Sequence, residues 1–125
     1  MNADRLNGIS QQVIGCAYSV GNVLGAGFLE RVYRNALAHE LGKAGLTVEM
    51  EKPLQVLYDG IVVGDFFADL LIEGRVLVEL KAVAQLDDTH VAQCVNYLRA
   101  TGLNLCLLIN FGVPRVQIKR VVNRL

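Results

Sequence analysis

The chain has 125 residues, 53% of them hydrophobic and 19% charged, with a formal net charge of zero. That length fits one domain with one core, here residues 1–125, and that composition excludes a disordered chain. No apolar run approaches the roughly 20 residues of a membrane span, and Met1 to Asn7 has no basic-then-apolar leader pattern, so a cytoplasmic location and no membrane partner are expected.

Residues 3–20 carry Ile9, Val13, Ile14, Ala17 and Val20 at helical spacing, and Gly21, Gly25 and Gly27 are expected to break that helix. A second helix is predicted from about Gly27 to Lys43, with Phe28, Val32, Ala36 and Leu37 on one side and Gly42 and Gly45 as stop signals. From Leu46 the period changes to that of a strand. Leu46–Tyr58 contains Pro53, which suggests an edge or a bulge. Asp59-Gly60 is a hairpin turn signal, and Ile61–Ile72 and Val76–Val83 are the next two strands. Leu86–Ala100 reads as a helix with Val91, Cys94, Val95 and Leu98 on one side. Leu103–Ile109 is a buried strand, Phe111–Pro114 a loop, and Arg115–Val122 an outer strand alternating polar and apolar residues. The order α-α-β-β-β-α-β-β predicts an α/β fold, a mixed central sheet flanked by helices.

Cys16, Cys94 and Cys106 are odd in number, far apart and in apolar settings, which fits buried thiols in a reducing compartment. His39 and His90 lack metal-ligand spacing with any cysteine and read as surface or helix-cap residues. The glycines at 21, 25 and 27 follow no strand, so they are not a dinucleotide fingerprint; they cap helices or let backbones approach. Charge is uneven. Residues 1–88 hold 7 Lys/Arg and 12 Asp/Glu, whereas residues 89–125 hold Arg99, Arg115, Lys119, Arg120 and Arg124 and no acid. That basic third either faces a polyanion, through Arg115, Lys119 and Arg120, or is a solvated face.

The most informative residues lie in Gly64–Lys81. Asp65 and Asp69 occupy odd positions of one apolar strand, and Glu79 and Lys81 occupy odd positions of the next. Residues two apart on a strand point the same way. A two-residue turn at Glu73-Gly74 would set Asp69 opposite Val78 and mix the faces. A three-residue loop, Glu73-Gly74-Arg75, sets Asp69 opposite Glu79 and keeps the even face apolar, so that register is predicted. Two facing carboxylates repel unless positive charge sits between them. Lys81 supplies part of it, and a hard cation such as Mg²⁺ would supply it better. An ordinary Glu79–Lys81 ion pair is the plain alternative. Asp65 lies about 13 Å along the strand from Asp69, too far to share one ion.

Asp69 followed by Glu79-Leu80-Lys81 on the adjacent strand resembles the PD-(D/E)XK nuclease superfamily. The stretch Gly27-Phe-Leu-Glu30-Arg-Val-Tyr33 further resembles the bacterial GxxExxY proteins, as do Glu79–Val83, Gln93–Leu98 and Leu108–Gly112. The likeness runs from about residue 20 to Arg124. It departs in one place: Ala68 stands where the superfamily's proline precedes the aspartate. The resemblance implies that Asp69 and Glu79 hold Mg²⁺ or Mn²⁺, with the Leu80 carbonyl a third ligand and Glu30 an added acid from the helix. It implies that Lys81 orients or deprotonates the attacking water, that Gln93 touches the site and that Tyr97 braces it. Apart from the resemblance, Glu30 could pair with Arg34 on the helix surface, and Tyr33 reads as core.

The chemistry is coherent in itself. Phosphodiester hydrolysis needs a water nucleophile and neutralised phosphoryl charge, and a divalent cation supplies both. Apolar walls beside a metal favour the neutral amine of a lysine, which suits a general base. Three functions are therefore carried forward: a Mg²⁺- or Mn²⁺-dependent nuclease acting on DNA, a catalytically silent nuclease-fold module binding nucleic acid or a protein, and a homodimer assembled through the high apolar content.

Overall fold

The computed structural model describes residues 2–123. Arg124, counted above in the basic third, lies outside them. Three helices and five strands follow in the expected order: α1 (Asn2–Leu24), α2 (Glu30–Lys43), β1 (Val48–Tyr58), β2 (Ile61–Ile72), β3 (Val76–Lys81), α3 (Asp88–Thr101), β4 (Leu105–Asn110) and β5 (Gln117–Val122). The sheet runs β1-β2-β3-β4-β5, with β3 and β4 parallel and the other neighbours antiparallel. A parallel pair needs a crossover, and α3 is that crossover.

The sheet is covered on both faces. One core joins Ile9, Val13, Ala17 and Val20 of α1 and Tyr33, Leu37 and Leu41 of α2 to Leu70, Ile72, Val76, Val78 and Leu80. The other joins Cys94 and Leu98 of α3 to Ala68, Leu71, Leu77, Cys106 and Leu108. Strands buried on both sides lose the polar half of their alternation, and every residue of β4 is buried. The cap of α3 explains its sharp start. Asp87 accepts the N–H groups of Thr89 and His90, and His90 Nδ1 accepts the Asp87 N–H.

The helices depart from expectation at their junction. α1 does not break at Gly21 but runs on to Leu24. Gly21 serves packing: a Cβ there would overlap the Val116 side chain on the strand side. Gly25, at φ 69°, ends the helix instead. α2 starts at Glu30 because Gly27 takes φ 120°, outside any helix. Its buried face is Tyr33, Leu37 and Leu41, while Phe28 is about half exposed. β3 stops at Lys81, two residues before Val83. There Asn110 takes over. It accepts the Val83 N–H at 3.0 Å and donates to the Val83 carbonyl at 3.0 Å, so a side chain replaces the ladder.

β2 pairs with β3 as Leu70↔Val78, Leu71↔Leu77 and Ile72↔Val76, which is the register of the three-residue loop. One further step sets Asp69 opposite Glu79. The shared odd face, however, does not hold along β2. Even-numbered Ala68 packs towards α3, and Phe66 stacks on Tyr97 of that helix, but even-numbered Leu70 and Ile72 pack towards α1 and α2. The alternation slips at Asp69, so Asp65 lies on the opposite face from Leu71. In β1, Met50↔Leu70 and Lys52↔Ala68 place Glu51 opposite Asp69, and Glu51, at φ 51°, interrupts the extended backbone at the same level. A left-handed residue twists the ribbon there.

Candidate active site

Beyond Leu70 and Val78 the ladder between β2 and β3 ends, and the two strands fork. Asp69 and Glu79 occupy the fork. The Asp69 N–H donates to Glu79 Oε2 at 2.9 Å, and the Leu80 N–H donates to Asp69 Oδ2 at 2.8 Å. Each carboxylate thus takes a backbone proton from the opposite strand, which fixes both and leaves Asp69 Oδ1 and Glu79 Oε1 outside these bonds.

The electrostatics are those of a crowded, dry pair. Glu79 is 7% exposed. Burial, then the charge of Asp69, pushes its carboxyl up to about 8. Burial likewise raises Asp69, against the bond from Leu80 and the charges of Arg34 and Lys81. Lys81 is half-buried at the end of β3, and its carbonyl accepts the Phe111 N–H at 2.9 Å.

The remaining expected residues are placed unequally. Glu30 is exposed in the first turn of α2, near enough for its charge to raise Glu79 further. Among the described residues, no three His, Cys, Asp or Glu side chains come together as a metal-holding group. Glu30 thus stands outside the Asp69–Glu79 pair. Gln93 is exposed on α3. It lies one turn from Tyr97, whose hydroxyl is raised by burial and by the charges of Glu79 and Asp69, so that helix face looks towards the fork. The Tyr97 ring stacks on Phe66 of β2 at 4.0 Å and 11°.

Tyr33 is core and clamp together. Its hydroxyl donates to the Gly25 carbonyl and accepts the Phe28 N–H at 3.1 Å, and its ring stacks on Phe111 at 4.7 Å. The loop that delivers Glu30 is thereby pinned to the residue that binds the Lys81 carbonyl. The three basic residues are not brought together. Lys119 pairs with Leu108 of the α3-side core, and Arg120 pairs with Leu107 of the α1-side core, so the two point to opposite faces. Arg120 is moreover engaged by Asn7 at 2.8 Å and Ser10 at 3.3 Å. Arg115 is exposed before β5.

Two contributors escaped the sequence. Arg34 does not pair with Glu30. It turns to the sheet, reaching Glu51 at 3.5 Å, with its charge acting on Asp69 and its Nε buried without a partner. The signal was there: Arg34 follows Glu30 by four residues and shares its helix face. Asn110 is fully buried, and besides Val83 it accepts the Gly112 N–H and donates to Gln117 Oε1. A buried Asn among five apolar neighbours in β4 was the clue.

The donor set fits a divalent cation. It offers hard carboxylate oxygens, opposed and short of positive charge, and waters can complete six-fold coordination.

A family model of the PD-(D/E)XK nuclease superfamily matches residues 7–121. No curated protein matches significantly. Two solved structures are similar. The crystal structure of SSO0001 is 17% identical at TM-score 0.56, over 76% of this chain and 50% of that one. An alkaline exonuclease (LHK-Exo) from Laribacter hongkongensis is 13% identical at TM-score 0.55, over 98% of this chain and 71% of that one. The chain thus spans half of the first protein and less than three quarters of the second, and at these identities the likeness is one of fold. No helix among the described residues is long and apolar enough to cross a membrane. A fork with paired carboxylates and a lysine two residues on, and a match over almost the whole length, place this chain in the PD-(D/E)XK nuclease superfamily.

Proposed function

We propose that the chain is a Mg²⁺- or Mn²⁺-dependent nuclease that hydrolyses DNA phosphodiester bonds at the β2–β3 fork. The observation that carries the reading is the crosswise-bonded Asp69–Glu79 pair with Lys81 on the same strand as Glu79. A divalent cation held by Asp69, Glu79 and the Leu80 carbonyl would supply Lewis acidity and lower the pKa of a bound water. Lys81 Nζ receives the proton of the attacking water. The water oxygen bonds to phosphorus, the bridging P–O bond breaks, and the leaving oxygen is protonated from solvent. Arg34 and Lys81 then offset charge on the phosphoryl oxygens. Glu30 and Gln93 are assigned to the rim of the site, Tyr97 and Tyr33 to its support, and Arg115 and Lys119 to contact with the nucleic-acid backbone. The likeness of Gly27–Tyr33 to GxxExxY proteins and the exonuclease neighbour support this reading.

The test is incubation of pure protein with labelled duplex and single-stranded DNA, with and without Mg²⁺ or Mn²⁺. Metal-dependent cleavage that disappears in Lys81→Ala is expected. Absence of cleavage with every metal would sink the nuclease reading. The second reading, a silent nuclease-fold module that binds nucleic acid, is favoured by one observation: Glu30 stays outside the carboxylate pair. Salt-dependent DNA binding without cleavage would select it.

A further inference from the structure

The β1–β2 ribbon carries most of the exposed apolar surface. Met50, Val56, Leu57, Tyr58, Ile61, Val62, Val63 and Phe67 are 36–69% exposed, against five such residues elsewhere among those described. At roughly 150–200 Å² per fully exposed side chain of this size, the eight present about 700–900 Å². The eight are split between the two faces of the ribbon; Ile61, Val62, Val63 and Phe67 on β2 account for about 350–470 Å², the size of the largest apolar patch of a typical monomer, about 300–600 Å².

The ribbon's two edges are treated differently. The outer edge, β1, carries Glu49, Glu51, Lys52 and Pro53, the residues that keep an edge from pairing. The other edge is β2. Because its ladder with β3 stops at Leu70, Ile61–Ala68 is left without a neighbour there. That stretch holds Ile61, Val62, Val63, Phe66 and Phe67, no proline and one charge, Asp65. A two-stranded ribbon is marginal in water when nothing covers it.

Charge disfavours a polyanion, and the unpaired backbone of the β2 edge points to a strand as the occupant. Residues 48–67 hold four acids (Glu49, Glu51, Asp59, Asp65) and one base, Lys52, so the ribbon repels a polyanion. A second copy fits. In an antiparallel pairing of β2 with its copy, a two-fold axis at Val63 sets Asp65 opposite Ile61, and an axis at Gly64 sets it opposite Val63. In neither does the carboxylate meet itself.

We propose that two copies of this chain join through the Ile61–Phe67 edge of β2 into a symmetric dimer with a sheet continuous across the axis. The inference is independent of whether the fork cuts DNA.

Sedimentation velocity of the full chain over a concentration series up to about 0.1 mM tests it. Wild type should be dimeric. Val63→Lys should be monomeric, at least tenfold weaker in self-association, with unchanged circular dichroism, and Val23→Lys, on α1, should remain dimeric. Val63→Cys with the axis at Val63, or Gly64→Cys with the axis at Gly64, should form a disulfide-linked dimer under an added disulfide oxidant, with two thiols oxidised and the reagent reduced, whereas Val23→Cys should form none. The crosslink decides if Val63→Lys does not fold. A wild type that stays monomeric, a Val63→Lys variant as dimeric as wild type, an absent crosslink, or a monomer whose ribbon instead binds single-stranded DNA in a Val63-dependent way would each overturn the proposal.

Discussion

The two ends of β2 are both rich in large apolar residues and have opposite fates. From Leu70 to Ile72 the strand lies between β1 and β3, and all three side chains are buried. From Ile61 to Phe67 its one strand neighbour is β1, and apart from Phe66, which stacks on Tyr97, its large apolar side chains stand in water. Asp69 is the hinge between the two. The ladder ends there, the alternation of faces slips there, and the carboxylate pair forms there. A sheet interior cannot host a water and a cation; a free ribbon cannot hold two carboxylates in place. The fork offers backbone donors from one side and access from the other.

Lys81, at the end of β3 beside the fork, carries the greatest predicted change. Lys81→Ala should lower DNA cleavage by about 10²–10⁴-fold, the range of a lost general base, with melting temperature unchanged. An equal rate would remove Lys81 from the chemistry.

Next comes pH. The Glu79 carboxyl rises from 4.5 to about 8 in the folded protein, and Asp69 is raised too. Between those values the folded chain holds more protons than the unfolded one, so metal-free stability is full below about pH 4.5 and falls as pH rises towards 8. The loss from Glu79 alone is on the order of 5 kcal/mol, at ~1.4 kcal/mol per tenfold. Urea denaturation of metal-free protein should show this fall, and Glu79→Gln should flatten it. A stability that rises over that window would contradict the desolvated pair.

Leu70→Ala and Phe67→Ala separate the buried and exposed ends of β2. The first should cost about 2–5 kcal/mol. The second, at an exposed position, should stay within about 0.5 kcal/mol in dilute solution. Similar costs would mean that the outer ribbon is buried in solution even when dilute.

Much of this was legible in the residues. The element order, the mixed sheet and the Glu73–Arg75 loop follow from period and from keeping Val76, Val78 and Leu80 on one face. Asp69 meeting Glu79 followed from that loop. What escaped needed three dimensions. Glu51 at φ 51° is an ordinary strand residue by sequence, yet the faces slip opposite it, at Asp69, and Asp65 lies on the other side. Gly21 reads as a helix breaker until Val116, almost a hundred residues on, is seen against it. Lys119 and Arg120 read as one basic patch, although adjacent strand residues point apart. Arg34 read as a partner for Glu30 because local spacing cannot announce Glu51 on a strand.

The central claim is that the fork holds a divalent cation. Calorimetric titration of Mn²⁺ into wild type and Asp69→Ala tests it most directly. One binding event in wild type, lost in Asp69→Ala and kept in Lys81→Ala, is the predicted result. Equal binding in wild type and Asp69→Ala, or none in wild type, would contradict it.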